Sequence, residues 1–381
     1  MNNLVPTPLE YLQLEYLNGE LGSNRAPSFI TKQISASNDL EAIRSWLAEY
    51  NHSPETHRAY RKESERLLLW SLIEKQKALS SLNRDDLRDY QNFLSTLEPR
   101  DRWCGQRRFR KDPRWRPFKA PLNNESIAHA ITIISALFSY LVEAGYLSGN
   151  PLGLMRRKIK QRCDKSKVTE RYLEQSLWQL VVNFIEAMPK ITPRENKEYE
   201  RIRFLFHLLY LQGPRVSEVA NAFMRDIKQI RGRWWWQVTG KGKKTELIPV
   251  NDAMLDALMR YRQFYKLSSL PTSDDAYALF MSFNGTKGVA GNMIYRLVKK
   301  VFMNCAATLV LTRPDVANKL KQASTHWLRH TSITHQADAG IELRYIKRSA
   351  RHNSVETTML YQHAEEEKWH NAMTAHRMPV K

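Results

Sequence analysis

One ten-residue stretch concentrates side chains suited to handling a phosphate. HWLRHTSITH, residues 326–335, follows Ser324-Thr325, a natural helix start. His326 and Arg329 stand three residues apart, so they share one helix face and can converge on a single ligand. Taken one at a time, each histidine here reads better as an ordinary hydrogen-bonded interior residue. Displacement at a phosphodiester gathers charge on the nonbridging oxygens, and arginine's planar fork meets that charge better than lysine does. The reaction also needs a nucleophile and an acid for the departing oxygen. A metal can do much of this work, but it needs carboxylate clusters or Cys/His ligand spacings. His326 and His330 have the i, i+4 spacing of a zinc-binding HExxH helix, yet Trp327 stands where that motif carries its glutamate base.

The charge balance points the same way. Among 381 residues, 59 Lys and Arg face 39 Asp and Glu, a formal charge of +20 that suits a polyanion, DNA or RNA above all. Hydrophobic residues make up 42%, enough to bury sizeable cores. No run of about 18 apolar residues suggests a membrane span, and the N-terminus lacks the pattern of a secretory signal. Cys104, Cys163 and Cys305 form no ligand or disulfide pattern, so a reducing, cytoplasmic setting is expected.

Along the chain, residues 1–39 carry Pro6, Pro8, Gly19, Gly22 and Pro27 without a sustained period and are expected to be poorly ordered, with one short helix near 9–17. Helical stripes then define a domain over 40–152. Ser53-Pro54 opens one helix; Leu87, Tyr90, Phe93 and Leu97 mark another; and Ile127, Ile131, Ile134, Phe138 and Leu141 mark a third that stops at Gly145. Residues 153–171 form a basic linker holding RRKIKQRCDKSK, and residues 172–381 form a larger mixed domain. Within it, 234–239 and 245–250 read as a hairpin around Gly240-Lys241-Gly242-Lys243-Lys244, Asn251 caps a helix over 253–265, and 278–283 reads as a short strand. The three tryptophans at 234–236 suit sheet packing. The segment 99–121 carries nine Arg/Lys interleaved with Trp103, Phe109, Trp115 and Phe118, so it is expected to be a surface loop on phosphates. Arg107, Arg108, Arg110, Lys111, Arg114 and Arg116 would make those contacts, joined by Lys158, Lys160 and Arg162 of the linker and by Lys243 and Lys244 of the hairpin turn.

Taken together, the motifs resemble those of the tyrosine recombinases, the phage integrase family. Gly213-Pro214-Arg215-Val216-Ser217-Glu218-Val219 is similar to the family's first arginine box. The glycine-lysine hairpin, followed by Leu247-Ile248-Pro249-Val250, looks like the one that carries its active-site lysine. His326-Trp327-Leu328-Arg329-His330 matches its His-x-x-Arg-His. Ala350-Arg351-His352, then Thr357-Thr358 and Tyr361-Gln362-His363, is similar to its last box, where nine residues separate histidine from tyrosine, as 352 and 361 do here. Three positions in two boxes depart from the pattern: Pro214 replaces a usual leucine, and Ala350-Arg351 stand where Leu-Gly is common.

The resemblance implies a mainly α fold with a small antiparallel β-hairpin or sheet, arranged as a two-domain C-shaped clamp. A helical, SAM-like core-binding domain would sit beside a mixed α/β catalytic domain. It implies that Tyr361 attacks DNA to give a 3′-phosphotyrosyl link, that Arg215 and Arg329 clamp the nonbridging oxygens, and that Lys241 protonates the leaving oxygen. His326 would handle the tyrosine proton, His352 would bond the phosphate, and Glu218 would support Arg215. No metal or other cofactor is needed for that chemistry. The expected function is site-specific recombination for a mobile element, on double-stranded DNA sites, by a tetramer, with an accessory DNA-bending or directionality factor as a further partner. Trp369, Ala372 and Met373 form an apolar stripe in the tail after Tyr361, which in similar recombinases docks on a neighbouring protomer. The alternatives are a type IB topoisomerase, a catalytically silent DNA-binding regulator, and a metal-dependent nuclease or protease.

Overall fold

The computed structural model describes residues 5–13, 17–154, 171–240, 245–285 and 287–351. The chain divides into two compact units, Met1–Cys163 and Asp164–Lys381. Helices dominate both, and the second adds a small antiparallel sheet.

The first unit packs α1 (Asp39–Ala48), α2 (Pro54–Ile73), α3 (Arg84–Thr96), the single turn α4 (Arg100–Trp103) and α5 (Asn124–Glu143). Local chemistry sets the starts. Asn38 and Asn123 each accept a backbone N–H of the first turn, Asn83 and Asp86 form a reciprocal capping box, and Pro54 occupies the first position of α2. The stripe predicted on α5 is buried from Ile127 to Leu141, and Gly145 ends it at φ +67°, a conformation that costs a side chain dearly. Helix α5 is long and apolar enough to cross a bilayer by composition, but its stripe is spent on this core.

Two expectations fail here. The described part of residues 1–39 is bonded into the unit, and residues 9–11 form a turn rather than a helix. Leu9 is buried and its N–H donates to Glu65 at 3.0 Å; the Arg25 guanidinium lies 3.9 Å over the Tyr146 ring; and the buried Asp39 carboxylate accepts from Ser80 and Tyr146. This segment has no period of its own because it borrows its order from helices already formed.

The basic loop departs from expectation in its aromatics and in Arg110. Trp103, Trp115 and Phe118 are buried, leaving Phe109 outside. The Trp103 indole donates to Glu74 at 2.8 Å, and Arg66 lies 4.1 Å over the Phe118 ring while donating to the Pro117 carbonyl. Arg110 is held between Glu10, at 2.5 and 2.6 Å, and the buried Glu65. Three of its four aromatics are core residues and at least one of its cations is an internal counter-ion.

The second unit contains α6 (Gln175–Glu186), α7 (Pro193–Gln212), α8 (Val216–Asn221), strands β1 (Ile227–Ile230), β2 (Arg233–Thr239) and β3 (Thr245–Pro249), then α9 (Asp252–Phe264), α10 (Gly291–Leu309), α11 (Pro314–Gln322), α12 (Thr325–Asp338) and α13 (Leu343–Ala350). The expected hairpin is there, with Thr239 opposite Thr245 and Trp236 opposite Ile248, and the Asn251 cap starts α9. Strand β1 was not foreseen. It joins β2 through a two-residue turn in which Arg231 and Gly232 both take positive φ, the geometry that suits the twist of a hairpin. Trp236 is fully buried and Trp234 and Trp235 partly so, as sheet packing requires. Residues 278–283 are no strand; they carry only isolated bridges, Phe223 to Ala278 and Met281 to Gly288.

Because Arg110 closes an ion cluster, Arg110→Ala should destabilise the first unit by roughly 1–3 kcal/mol, the range for a hydrogen bond to a charged group. The exposed Arg107→Ala should leave thermal unfolding unchanged. Equal melting curves for the two variants would remove Arg110 from the fold.

Candidate active site

Three separated motifs meet around Arg329. Helix α12 starts at Thr325, so Arg329 emerges one turn in, and its side chain is buried. One guanidinium nitrogen donates to the Gly213 carbonyl at 2.5 Å and the other to the Ala350 carbonyl. Arg329 thus ties α12 to the turn before α8 and to the end of α13. Gly213 takes φ +54° at the end of α7, and a Cβ there would lie 3.0 Å from the Ser332 hydroxyl. Both facts favour glycine at the point where the first arginine box turns.

Arg215 is the N-cap of α8 and remains part-exposed. It donates to Glu218 at 2.9 Å and to the Arg351 carbonyl at 2.8 Å. The two arginines therefore hold consecutive carbonyls, those of residues 350 and 351, in the turn leading to His352. Glu218 is buried. It accepts from the Arg215 backbone at 2.6 Å and also from the Arg351 guanidinium, at 3.0 and 2.5 Å. Sequence reasoning missed Arg351. Its signal was a charged residue where similar boxes commonly carry glycine.

His326 and His330 lie with their Nε2 atoms 3.0 Å apart, so one donates and the other accepts. The His326 ring has a solvent-exposed rim, but partial burial first, then the cationic fields of Arg329, Arg171 and Arg215, hold its pKa below the usual imidazole value. The last histidine of the stretch, His335, is a buried packing residue whose Nδ1 meets the Tyr210 hydroxyl at 3.0 Å.

Lys241, Lys243, Lys244, His352 and Tyr361 lie outside the described residues, as do Lys158, Lys160 and Arg162. Strands β2 and β3 bracket the first three. Of the loop cations, Arg107, Arg108, Lys111 and Arg114 are exposed. Arg114 and Arg108 share Asp112, whose pKa is drawn down to about 2, mainly by hydrogen bonds from Arg114. Arg116 donates to the Asp101, Pro113 and Trp115 carbonyls.

Comparison with known proteins agrees with this geometry. The profile of the phage integrase family matches residues 179–368. A tyrosine recombinase XerC of Chlorobaculum parvum is 25% identical over 342 residues, covering 85% of this chain and 89% of that protein. A tyrosine recombinase of Thermosipho africanus is 25% identical, covering 87% and 96%. Among solved structures, the XerH recombinase in a post-cleavage complex with palindromic difH DNA has a TM-score of 0.60 at 16% identity, covering 91% of each chain. The Tn1549 transposon integrase with transposon right end DNA has a TM-score of 0.58 at 15% identity, covering 88% of this chain and 98% of that one. The chain belongs to the phage integrase family of tyrosine recombinases. It is by class a site-specific DNA recombinase.

With its pKa depressed, His326 is neutral at pH 7 and stays neutral somewhat below the ordinary value of about 6.5. A step that needs the neutral ring is lost only as pH falls through that lowered pKa. The acid limb of single-turnover DNA cleavage should therefore lie below pH 6.5, and His326→Gln should flatten it. A limb centred above about 6.5 would contradict the cationic setting of this ring.

Proposed function

We propose that the protein integrates or excises a mobile element by cutting and rejoining two DNA sites through Tyr361. The observation that carries this reading is the convergence of Arg215 and Arg329 on the consecutive carbonyls of residues 350 and 351, at the threshold of the segment holding His352 and Tyr361. Two rigid forks from separate motifs, aimed at one turn, make a cradle for nonbridging phosphate oxygens.

In this reading the Tyr361 oxygen bonds to phosphorus as the bond to the 5′ oxygen breaks. His326 takes the phenolic proton, Lys241 gives one to the departing 5′ oxygen, and His352 bonds the phosphate. Glu218 holds Arg215 in place. The phosphotyrosyl bond stores the energy of the broken one, so the reverse attack by a 5′-hydroxyl reseals the strand without ATP. The catalytic domain runs over 172–381, the DNA-gripping helical domain over 40–152, and the linker over 153–171. Arg107, Arg108, Lys111 and Arg114, with Lys158, Lys160, Arg162, Lys243 and Lys244, neutralise phosphates in our reading. Arg110 and Arg116 are withdrawn from that set because their guanidiniums are engaged inside the fold. The reaction runs on chromosomal and element DNA in the cytoplasm.

Recombining two duplexes cuts four strands, and one nucleophile per chain calls for four protomers on DNA. We assign the tail stripe of Trp369, Ala372 and Met373 to a neighbouring protomer. These three residues lie outside the described ones; a helix that short would be marginal alone and would need a surface to cover it.

Tyr361→Phe should bind duplex DNA as the wild type does and form no covalent adduct in EDTA. A 3′-linked adduct from that variant would displace Tyr361 as nucleophile. Strand exchange between two sites, rather than plasmid relaxation alone, separates a recombinase from a topoisomerase. Truncation after His363 should keep single-site binding and abolish cooperative assembly and strand exchange; full tetramers from the truncated chain in sizing experiments would refute the tail's role.

A further inference from the structure

Arg351 occupies a backbone conformation that its side chain does not favour. Its φ is +53°, in the left-handed region where glycine is at ease and branched or long residues are uncommon. The residue nevertheless has a long, charged side chain, and that side chain is buried, 6% exposed. Its Nε and Nη2 form a two-pronged pair with both oxygens of Glu218, at 3.0 and 2.5 Å. Its carbonyl accepts from Arg215 at 2.8 Å, and Arg215 in turn donates to Glu218 at 2.9 Å. The three residues close a ring in which every member holds the other two.

Charge gives the ring a purpose beyond holding. A buried carboxylate paired only with Arg215 would neutralise the guanidinium meant for phosphate. Two guanidiniums on one carboxylate leave a net positive charge, and Arg215, the part-exposed member, is the one that can present it. Among the described residues, Glu246 of β3 and Arg348 of α13 also lie near this cluster and pair with each other loosely at 3.8 Å, while Arg329 reaches the adjoining Ala350 carbonyl.

Resting on the recombinase reading, we propose that Arg351 is a positioning residue that offsets the charge of Glu218 and so keeps Arg215 aimed at the scissile phosphate with its positive charge uncancelled. The effect belongs to the chemical step, because phosphate contacts elsewhere carry most of the binding.

The test uses the full-length protein and nicked suicide duplexes bearing a sequence selected by binding from a random pool. Arg351→Gly and Arg351→Asn both tolerate the positive φ, so both should fold. Each should slow single-turnover covalent adduct formation by about tenfold or more, within the coupling range of residues in one network, while duplex affinity changes little. Arg351→Lys, with charge but no fork, should recover part of the rate. In a Glu218→Gln background, where no charge remains to offset, Arg351→Gly should cost little further. Unchanged adduct formation in the glycine and asparagine variants would show that the long side chain is incidental and overturn the proposal. A loss matched by lost affinity, or undiminished in the Glu218→Gln background, would overturn it as well. A wild type that forms no adduct refutes the recombinase reading together with this inference, whereas an active wild type with fully active variants refutes this inference alone.

Discussion

Removing the guanidinium of Arg329 from water is the constraint on which the catalytic unit depends. A buried cation is tolerated only where hydrogen-bond acceptors surround it, and here they include the backbone carbonyls of Gly213 and Ala350. Carbonyls cannot move without moving the elements that carry them. The end of α7, the start of α12 and the end of α13 are thereby set against each other by one side chain. Arg215 reinforces this from the next carbonyl along. The same two groups that suit a phosphate thus also organise the turn in front of the tyrosine segment.

Electrostatics in the unit follow from this crowding. Partial burial first, and then the fields of Arg329, Arg171 and Arg215, hold the pKa of His326 below the usual imidazole value. Glu218 is the buried carboxylate set directly between Arg215 and Arg351, so it must moderate the repulsion between them without cancelling the field. A site preorganised this way loses little to reorganisation when charge develops on a substrate.

The first unit shows how gross charge can mislead. Its basic loop is dense in arginine, yet Arg110 balances Glu10 and Glu65, Arg116 serves carbonyls, and Arg66 packs on Phe118. Guanidinium is weakly hydrated and offers several donors, so it serves inside a fold as readily as on a polyanion. Composition registers the charge but not its partner.

Much was legible in the residues alone. Helix starts at Ser53-Pro54 and Asn251, the stripe of α5 and the β2–β3 hairpin all follow from local preferences, which act over a few residues and leave a periodic trace. The motif order, from Arg215 through Arg329 to Tyr361, pointed to the family, because each step of its reaction demands a particular residue type. Strand β1 was hidden because an Arg-Gly pair is a weaker turn signal than Asn-Gly, and its four residues carry little pattern. The docking of residues 5–38, the burial of Trp103 and Trp115, and the ring of Arg215, Glu218 and Arg351 left no periodic trace at all. The sequence by itself determined which groups are present and which helices and strands form, since those depend on neighbours along the chain. Only the tertiary structure decided which cations are spent on carboxylates and carbonyls and which stay exposed to solvent, because a charge's partner is chosen by proximity in space.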